Sequence, residues 1–339
     1  MDIVLTSFAF LIAALCAGVM GFAIQRGATC TVAAVDEVIN KRSFRRLTSL
    51  FEASLWVAGG LLVAQALQLL PNMPAGYALN HWTVLGGALL GLGAFINGAC
   101  VFGAIARFGS GQWAYVLTPL GFYLGCLSVT RLDLLPAQQK LPYASPVLQA
   151  PAWVAGVFVL FVLWRLARPL WTRGHIARNS ANPSLLERAR DALAARIWSP
   201  HAATIVIGVT FFFMLMLVGA WAYTDVLAEL ARGMAASLVA RFLLLLAMLL
   251  GAAWGGWVAG RLRSSRVTLR QVLRCTLGGV LMGWGSLLIP GGNDGLILVG
   301  MPLLWPYAWV AFLAMGLSIA AAQLLAKARA LPLTRPSAS

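Results

Sequence analysis

Charged residues are scarce in this sequence. Only 10% of its 339 residues are Asp, Glu, Lys or Arg, whereas a typical soluble domain has about 25%. Apolar residues make up 60% of the chain, and its mean hydropathy is +0.84. Because the polar surface of a soluble protein is missing, a soluble domain, a coiled coil and a disordered chain are excluded. The composition predicts an all-α integral membrane protein whose apolar side chains face the lipid bilayer.

Acidic residues are even scarcer than basic ones, with 10 Asp and Glu against 25 Lys and Arg and a net charge of +15. The basic residues are concentrated around 41–46, 171–200 and 261–274, and none occurs in 71–82. Separate basic loops are typical of the cytoplasmic side of membrane proteins, whereas a nucleic-acid partner favours one basic face. We therefore expect a membrane protein with these loops in the cytoplasm, the N-terminus outside and no nucleic-acid partner.

Cysteine and histidine are also few, with five and three residues, and the sequence contains neither a CxxC nor an HExxH motif. All five cysteines lie in apolar segments, which excludes a secreted disulfide framework and argues against zinc. We expect no metal and no cofactor. The first basic residue is Arg26, so the basic start of a signal peptide is missing, and residues 3–23 are predicted to form a retained membrane helix.

A polar segment divides the chain into two parts. Residues 1–170 are predicted to form an N-terminal membrane half, 201–339 a C-terminal membrane half, and 171–200 a basic cytoplasmic loop between them. Inside this loop Ser184 and Glu187 have the spacing of a capping box. An amphipathic helix follows in the sequence, which we expect to lie on the membrane surface; docking of a partner is the alternative.

An internal repeat relates the two parts. At an offset of 192 residues the glycine-rich run 86–93 aligns with 278–285 without a gap. At an offset of 70 a weaker copy aligns Cys30 with Cys100, and the fourth expected copy, around 214–232, is faint. Paired, interrupted hydrophobic segments indicate a transporter binding site. We therefore predict two pseudo-symmetric halves whose broken or re-entrant helix hairpins meet near the bilayer midplane.

Cys30 and Cys100 are the first candidates for this site. Each follows a polar break and is predicted to begin a second half-helix. The N-terminus of a helix has a partial positive charge and free N–H groups, and a thiol adds a weak S–H donor. Two such ends together predict an anion site. Packing as a small apolar residue is the alternative, and we favour it for Cys16, Cys126 and Cys275.

Polar residues in the breaks are further candidates. Arg26 is the one basic residue of the first hydrophobic region, and it either attracts an anion or extends to the membrane interface. Asn97, Gly98 and Asn293 lie in the other breaks, where an Asn either contacts the substrate or caps the following half-helix. Carboxylates that follow breaks are either ion-coupling groups or, as we favour, partners of the basic loops: Asp36, Glu37, Asp225 and Glu229.

The pattern of glycines and cysteines resembles the YeeE/YedE family of sulfur transporters. The matching residues are Gly21, Phe22, Arg26, Cys30, Asp36, Gly91, Gly93, Asn97–Cys100, Gly103, Gly278, Gly279, Met282, Gly283, Gly285 and Trp221–Asp225. The resemblance implies an hourglass-like fold and an inner-membrane permease for a small sulfur-containing anion such as thiosulfate, which is moved past cysteine thiols without chemical conversion. Cys30 and Cys100 match the first two cysteines of the family pattern.

The third family cysteine is absent, because Gly292 occupies its position in the last hairpin. Gly292 also aligns with Cys100 in the internal repeat. We expect its backbone N–H and the amide of Asn293 to take the place of the thiol. The alternative function is a membrane scaffold that docks a soluble sulfur-carrier or sulfurtransferase protein on the cytoplasmic side. An enzyme with a nucleophilic cysteine is disfavoured, because no His or carboxylate is close in sequence to act as its base.

Overall fold

The computed structural model describes residues 7–71, 73–132, 138–171, 197–233 and 238–330. Within these ranges the chain is helical and has no β-sheet. The helices are α1 (Phe8–Gly27), α2 (Thr31–Lys41), α3 (Arg45–Ala66), α4 (His81–Asn97), α5 (Val101–Gly109), α6 (Leu117–Arg131), α7 (Ala152–Trp171), α8 (Pro200–Val218), α9 (Tyr223–Ala231), α10 (Leu238–Val258), α11 (Leu269–Leu288), α12 (Asn293–Gly300) and α13 (Pro306–Ala330).

Membrane-spanning segments dominate the described part of the chain. Seven segments are long and apolar enough to cross a bilayer, or eight if α11 and α12 count as one span with a bend of 51°. The pairs α1–α2 and α4–α5 each qualify as one span that a short break interrupts. The prediction of an all-α integral membrane protein is confirmed. The amphipathic helix predicted after Ser184 lies outside the described residues.

Glycines set the helix crossings. Helices α4 and α11 run antiparallel, and a Cβ on Gly93 would lie 2.7 Å from the carbonyl oxygen of Gly278. A Cβ on Gly285 would likewise lie 2.5 Å from the carbonyl oxygen of Gly86. Helices α1 and α10 cross in the same way at Gly21. Small residues thus bring the backbones into contact, as is common between transmembrane helices.

The repeat extends through both halves of the structure. The first residues of α1, α2 and α5 lie 192 positions before the first residues of α8, α9 and α12, respectively. Helices α3, α4 and α6 correspond to α10, α11 and α13 in the same order, and α7 has no counterpart among the described helices. The faint fourth copy of the sequence repeat is therefore the α8–α9 segment.

Candidate functional site

Four short helices begin at the breaks, and none has a side-chain cap. Their N-cap residues are Cys30 for α2, Cys100 for α5, Ala222 for α9 and Gly292 for α12. All four have extended backbone geometry, and no side chain of these residues bonds the first turn. The N-terminal N–H groups are therefore left to other partners. Both cysteines begin half-helices, as the sequence predicts.

The cysteine ends of α2 and α5 are in direct contact. The Thr31 N–H donates to Cys100 Sγ at 3.2 Å, which links the first turn of α2 to the N-cap of α5. The Cys30 and Cys100 thiols lie beside each other. A Cβ on Gly103 would lie 2.5 Å from Cys30 Sγ, so this glycine makes room for the thiol. Cys100 is fully buried and Cys30 is half-buried.

Asn97 braces the break between α4 and α5. Its side-chain N–H donates to the Ala99 carbonyl at 2.7 Å, and its side-chain oxygen accepts from Thr118 Oγ1 at 3.1 Å. The Tyr115 hydroxyl donates to the Asn97 carbonyl at 3.2 Å. Gly98 follows with φ +75°, which a residue with a side chain rarely adopts. The amide of Asn97 is thus engaged within the protein, and its contact with a substrate stays a prediction.

Arginines bind the free carbonyls at the end of α4. Arg107 donates to the Gly98 carbonyl at 3.0 Å, and Arg274 donates to the Ile96 carbonyl at 2.9 Å. Positive charge at a helix C-terminus is stabilising because the carbonyls there carry partial negative charge. Arg107, which sequence reasoning did not select, is therefore held close to the break.

Arg26 is fully buried near the end of α1. Its guanidinium carbon lies 4.9 Å from the centre of the Phe22 ring, and its carbonyl accepts from the Trp198 N–H at 3.1 Å. The guanidinium thus packs within the protein, and its extension towards the membrane interface stays a prediction. An interaction of Arg26 with an anion stays a prediction.

The break before α12 has a different arrangement. Asn293 is fully buried, and neither atom of its amide has a hydrogen-bond partner among the described residues. Both oxygens of Asp294 accept from Thr224, one from its hydroxyl and one from its N–H at 3.2 Å. A Cβ on Gly292 would lie 2.5 Å from Thr224 Oγ1. Thr224 thus occupies the space that a side chain at position 292 would need.

Unpartnered buried polar atoms gather around the N-caps. In the described part of the chain, the hydroxyls of Thr29 and Thr31 flank Cys30 without a hydrogen-bond partner. The indole N–H of Trp221, just before Ala222, is also unpartnered. Burial of such groups without partners costs about 1–3 kcal/mol each, which is typical of a place where a polar ligand binds. Sequence reasoning missed these three residues, although each directly adjoins an N-cap.

Two cavities adjoin the half-helices. The Cys30 cavity has a volume of about 320 Å³ and includes Arg46 and Gly98 in its wall; the Gly292 cavity has about 270 Å³ and includes Tyr77 and Pro290. Because Tyr77 precedes α4 and Gly98 follows it, the cavities lie towards opposite ends of that helix.

The repeat relates the two cavities. Residues 192 positions apart line equivalent walls: Ala28 and Ala220, Ala33 and Asp225, Gly98 and Pro290, Gly103 and Gly295, Arg107 and Val299. The half-helix ends lie between the cavities, because α5 contacts α12 and Thr224 contacts Gly292.

Cys275 lies closer to the half-helix ends than its sequence position suggests. It is buried in a cluster with Ala99 and Tyr115, and Cys30 packs against the same cluster. Helix α11 brings it there because the start of α11 lies beside the end of α4, where Arg274 bonds the Ile96 carbonyl. Cys126, in contrast, bonds within the α6–α11 contact, where its thiol lies 3.6 Å from the Gly283 carbonyl.

Known proteins share this sequence pattern. The model of the sulphur transport family matches residues 26–321. The thiosulfate transporter TsuA of Escherichia coli (strain K12) is 23% identical over 345 residues, which cover 90% of this chain and 91% of TsuA. The family match includes all four half-helices and every residue that lines the two cavities except Gln323. The chain belongs to the sulphur transport family.

Proposed function

We propose that this protein is an inner-membrane permease for a small sulfur-containing anion, most closely thiosulfate-like, that passes the half-helix ends without chemical conversion. The unpartnered polar atoms beside the N-caps are the observation that carries the proposal. A compact anion with several oxygens accepts hydrogen bonds from donors of this kind, namely the Asn293 amide, the Trp221 indole and the Thr31 hydroxyl, as it passes them. The partial positive charges of the half-helix ends favour the same ligand.

The path runs from the Gly292 cavity through the N-caps to the Cys30 cavity. Arg46 belongs to the basic segment 41–46 and lines the Cys30 cavity, and Arg274 of the segment 261–274 lies beside Gly98. Because cytoplasmic loops are rich in Lys and Arg, the Cys30 cavity opens to the cytoplasm and the N-terminus is outside.

Labelling of engineered cysteines tests this orientation. Ser264 is exposed in the segment 261–274, and Leu79 is exposed in 71–82. In intact cells an impermeant thiol reagent is expected to label Leu79→Cys and to leave Ser264→Cys unlabelled, with the unsubstituted protein as background. Labelling of Ser264→Cys alone would reverse the assigned topology.

The two cysteines act as weak donors rather than as nucleophiles in this proposal. No His lines either cavity among the described residues, and the Cys100 thiol accepts from the Thr31 N–H instead of facing a base. A polarisable S–H group suits the sulfur end of thiosulfate. The name of the related protein, a thiosulfate transporter, supports the same substrate.

Uptake of radiolabelled thiosulfate into membrane vesicles tests the proposed function. Vesicles with the protein are expected to accumulate label above vesicles without it, and unlabelled thiosulfate is expected to compete better than sulfate. Recovery of the label as unmodified thiosulfate is expected inside. Chemically altered label would contradict permeation without conversion, and absence of uptake for every sulfur anion would contradict the permease.

A scaffold for a soluble sulfur-carrier protein is the second candidate. The observation in its favour is the set of exposed arginines on the side of the Cys30 cavity: Arg42, Arg45, Arg107, Arg263 and Arg274. Copurification of an acidic sulfur-carrier protein that is lost at high salt supports this function. Full thiosulfate uptake in vesicles without soluble protein contradicts an obligatory partner.

A further inference from the structure

The two cavities differ in charge at equivalent positions. Asp225 lines the Gly292 cavity where Ala33 lines the Cys30 cavity, and Val299 takes the place of Arg107. The Gly292 cavity therefore gains a carboxylate and lacks a guanidinium at the same two places. The reverse holds at a third pair, where Asp36 lines the Cys30 cavity and the equivalent Ala228 lines the Gly292 cavity, which also includes Glu229 and Arg232 in its wall. What distinguishes the Gly292 cavity is therefore the position of the Asp225 carboxylate, beside the first turn of α12.

Asp225 forms no direct ion pair within the described part of the chain, and Arg232 and Arg241 are the arginines that interact with it at longer range. Its helix neighbour Glu229 is paired with Arg241, just as the equivalent Glu37 is paired with Arg46. Asp225 itself forms neither an ion pair nor a side-chain hydrogen bond with the described residues. A Cβ on Gly295 would lie 3.8 Å from both of its carboxylate oxygens, so this carboxylate lies against the first turn of α12.

A second observation marks the same turn as a ligand site. Asn293 begins α12, is fully buried and has two unpartnered amide atoms. Asp294 follows it, and both of its oxygens are taken by Thr224. A ligand at this turn therefore meets one free carboxylate, that of Asp225.

The charges explain why that carboxylate needs a proton. An ionised Asp225 repels an anion in the narrow, poorly solvated cavity, and a membrane potential that is negative inside opposes inward movement of an anion. A protonated Asp225 removes the repulsion and donates an O–H hydrogen bond to the anion. Ionisable residues within transporters commonly have this role.

We propose that Asp225 is the proton-coupling residue of the permease. It binds a proton from the outer side when the anion enters, and it releases this proton together with the anion towards the cytoplasm. The carboxyl group is then ionised again. The inference rests on the proposed function. One proton is taken up and one released in each cycle, so the carboxyl group returns to its first state.

The surroundings of Asp225 favour a proton over a metal cation. The described residues contain no group of three His, Cys, Asp or Glu that could hold a metal ion, and the oxygens of Asp294 are already bonded. Titratable groups from several elements face Asp225. Its own helix and the C-cap of that helix contribute Glu229 and Arg232. The other elements contribute Asp294 from α12, Arg241 from α10, Tyr307 from α13, Cys126 from α6 and Tyr77 from the segment before α4.

Gradient-driven uptake in vesicles tests the inference. An inward proton gradient is expected to stimulate thiosulfate uptake by the unsubstituted protein, and a protonophore is expected to abolish the stimulation. Asp225→Asn is expected to lose the stimulation while it still exchanges internal for external thiosulfate, because a neutral amide does not repel the anion. Glu52→Gln, which alters a carboxylate that pairs with Arg165 and His201 and lines neither cavity, is expected to keep the stimulation.

The results separate the two proposals. Stimulation that persists in Asp225→Asn, or uptake that follows a sodium gradient and ignores the proton gradient, overturns the role of Asp225. Loss of the exchange reaction in Asp225→Asn at normal abundance also overturns it, because the residue would then act in binding. Absence of both exchange and uptake in the unsubstituted protein contradicts the permease itself.

Discussion

The two halves share one helical frame but differ at the N-caps of their half-helices. In the N-terminal half, cysteines occupy both positions, and their thiols lie side by side. In the C-terminal half, the equivalent residues are Ala222 and Gly292, and an unpartnered Asn293 follows the latter. The frame of glycine crossings and breaks therefore does not require a thiol. The donors at the tips changed while the helix geometry stayed the same.

The halves also stabilise their breaks with different bonds. Asn97 holds the first half together through Ala99 and Thr118, whereas its equivalent in the second half is the apolar Ile289. There the bond between Asp294 and Thr224 joins α12 to α9. In both halves a polar contact joins the two half-helices, Thr31 to Cys100 in the first and Thr224 to Asp294 in the second. The first half has the bonds of Asn97 in addition.

The largest effect on stability is expected at the glycine contacts between the two halves. Gly285→Leu places a side chain against the Gly86 carbonyl at the α4–α11 crossing, and overpacking of this kind costs about 1–3 kcal/mol or more. We expect loss of folded protein, measured by thermal unfolding in detergent. Gly316→Leu is the matched control, because a Cβ there meets no atom within 4 Å. Equal loss in both variants would refute the crossing as the cause.

A cysteine at position 292 tests whether the second half accepts the chemistry of the first. Gly292→Cys alone is expected to abolish most uptake, because its Cβ would lie 2.5 Å from Thr224 Oγ1. With Thr224→Gly beside it, which removes Oγ1, Cβ and Cγ2, all within 2.8 Å of the new Cβ, uptake is expected to return with a stronger preference for thiosulfate over sulfate. Competition assays on the single and double variants measure this. A single variant with normal uptake would show that Thr224 does not fill the space.

Asn293 is the donor that replaces the missing thiol in this account. Asn293→Ala removes an amide that has no partner in the described structure, so little stability is expected to be lost. The apparent affinity for thiosulfate is expected to fall about tenfold, which corresponds to roughly 1.4 kcal/mol for one good hydrogen bond to an anion. Concentration series of uptake measure the change. An unchanged affinity would place the anion elsewhere.

The smallest effect on the apparent affinity is expected for Asn97, which supports the break in the first half. Asn97→Ala removes the hydrogen bonds to Ala99 and Thr118. We expect their loss to lower the free energy of unfolding by about 1–3 kcal/mol. A lower melting temperature and a lower maximal uptake rate are expected, with little change in apparent affinity. A specific loss of affinity at normal stability would instead make Asn97 a substrate ligand.

The sequence predicts the local features of the site well. Gly-rich runs, breaks and the half-helix starts at Cys30 and Cys100 are set by neighbours in the chain, and the structure has them where they are predicted. The unpartnered state of Asn293 and the burial of Arg26 depend on helices far away in sequence. The same is true of the contact between Asp294 and Thr224, which are 70 residues apart in the sequence. Such contacts follow from packing and leave no signal in the local pattern.

Thiosulfate uptake by cysteine variants tests the central claim most directly, namely that the anion passes the half-helix N-caps. At equal membrane abundance, Cys100→Ala is expected to abolish uptake and Cys30→Ala to reduce it almost as far. Cys126→Ala is the control, because this buried thiol bonds in the α6–α11 contact, and only a mild loss is expected. Normal uptake by Cys100→Ala, or an equal loss in Cys126→Ala, would contradict the account.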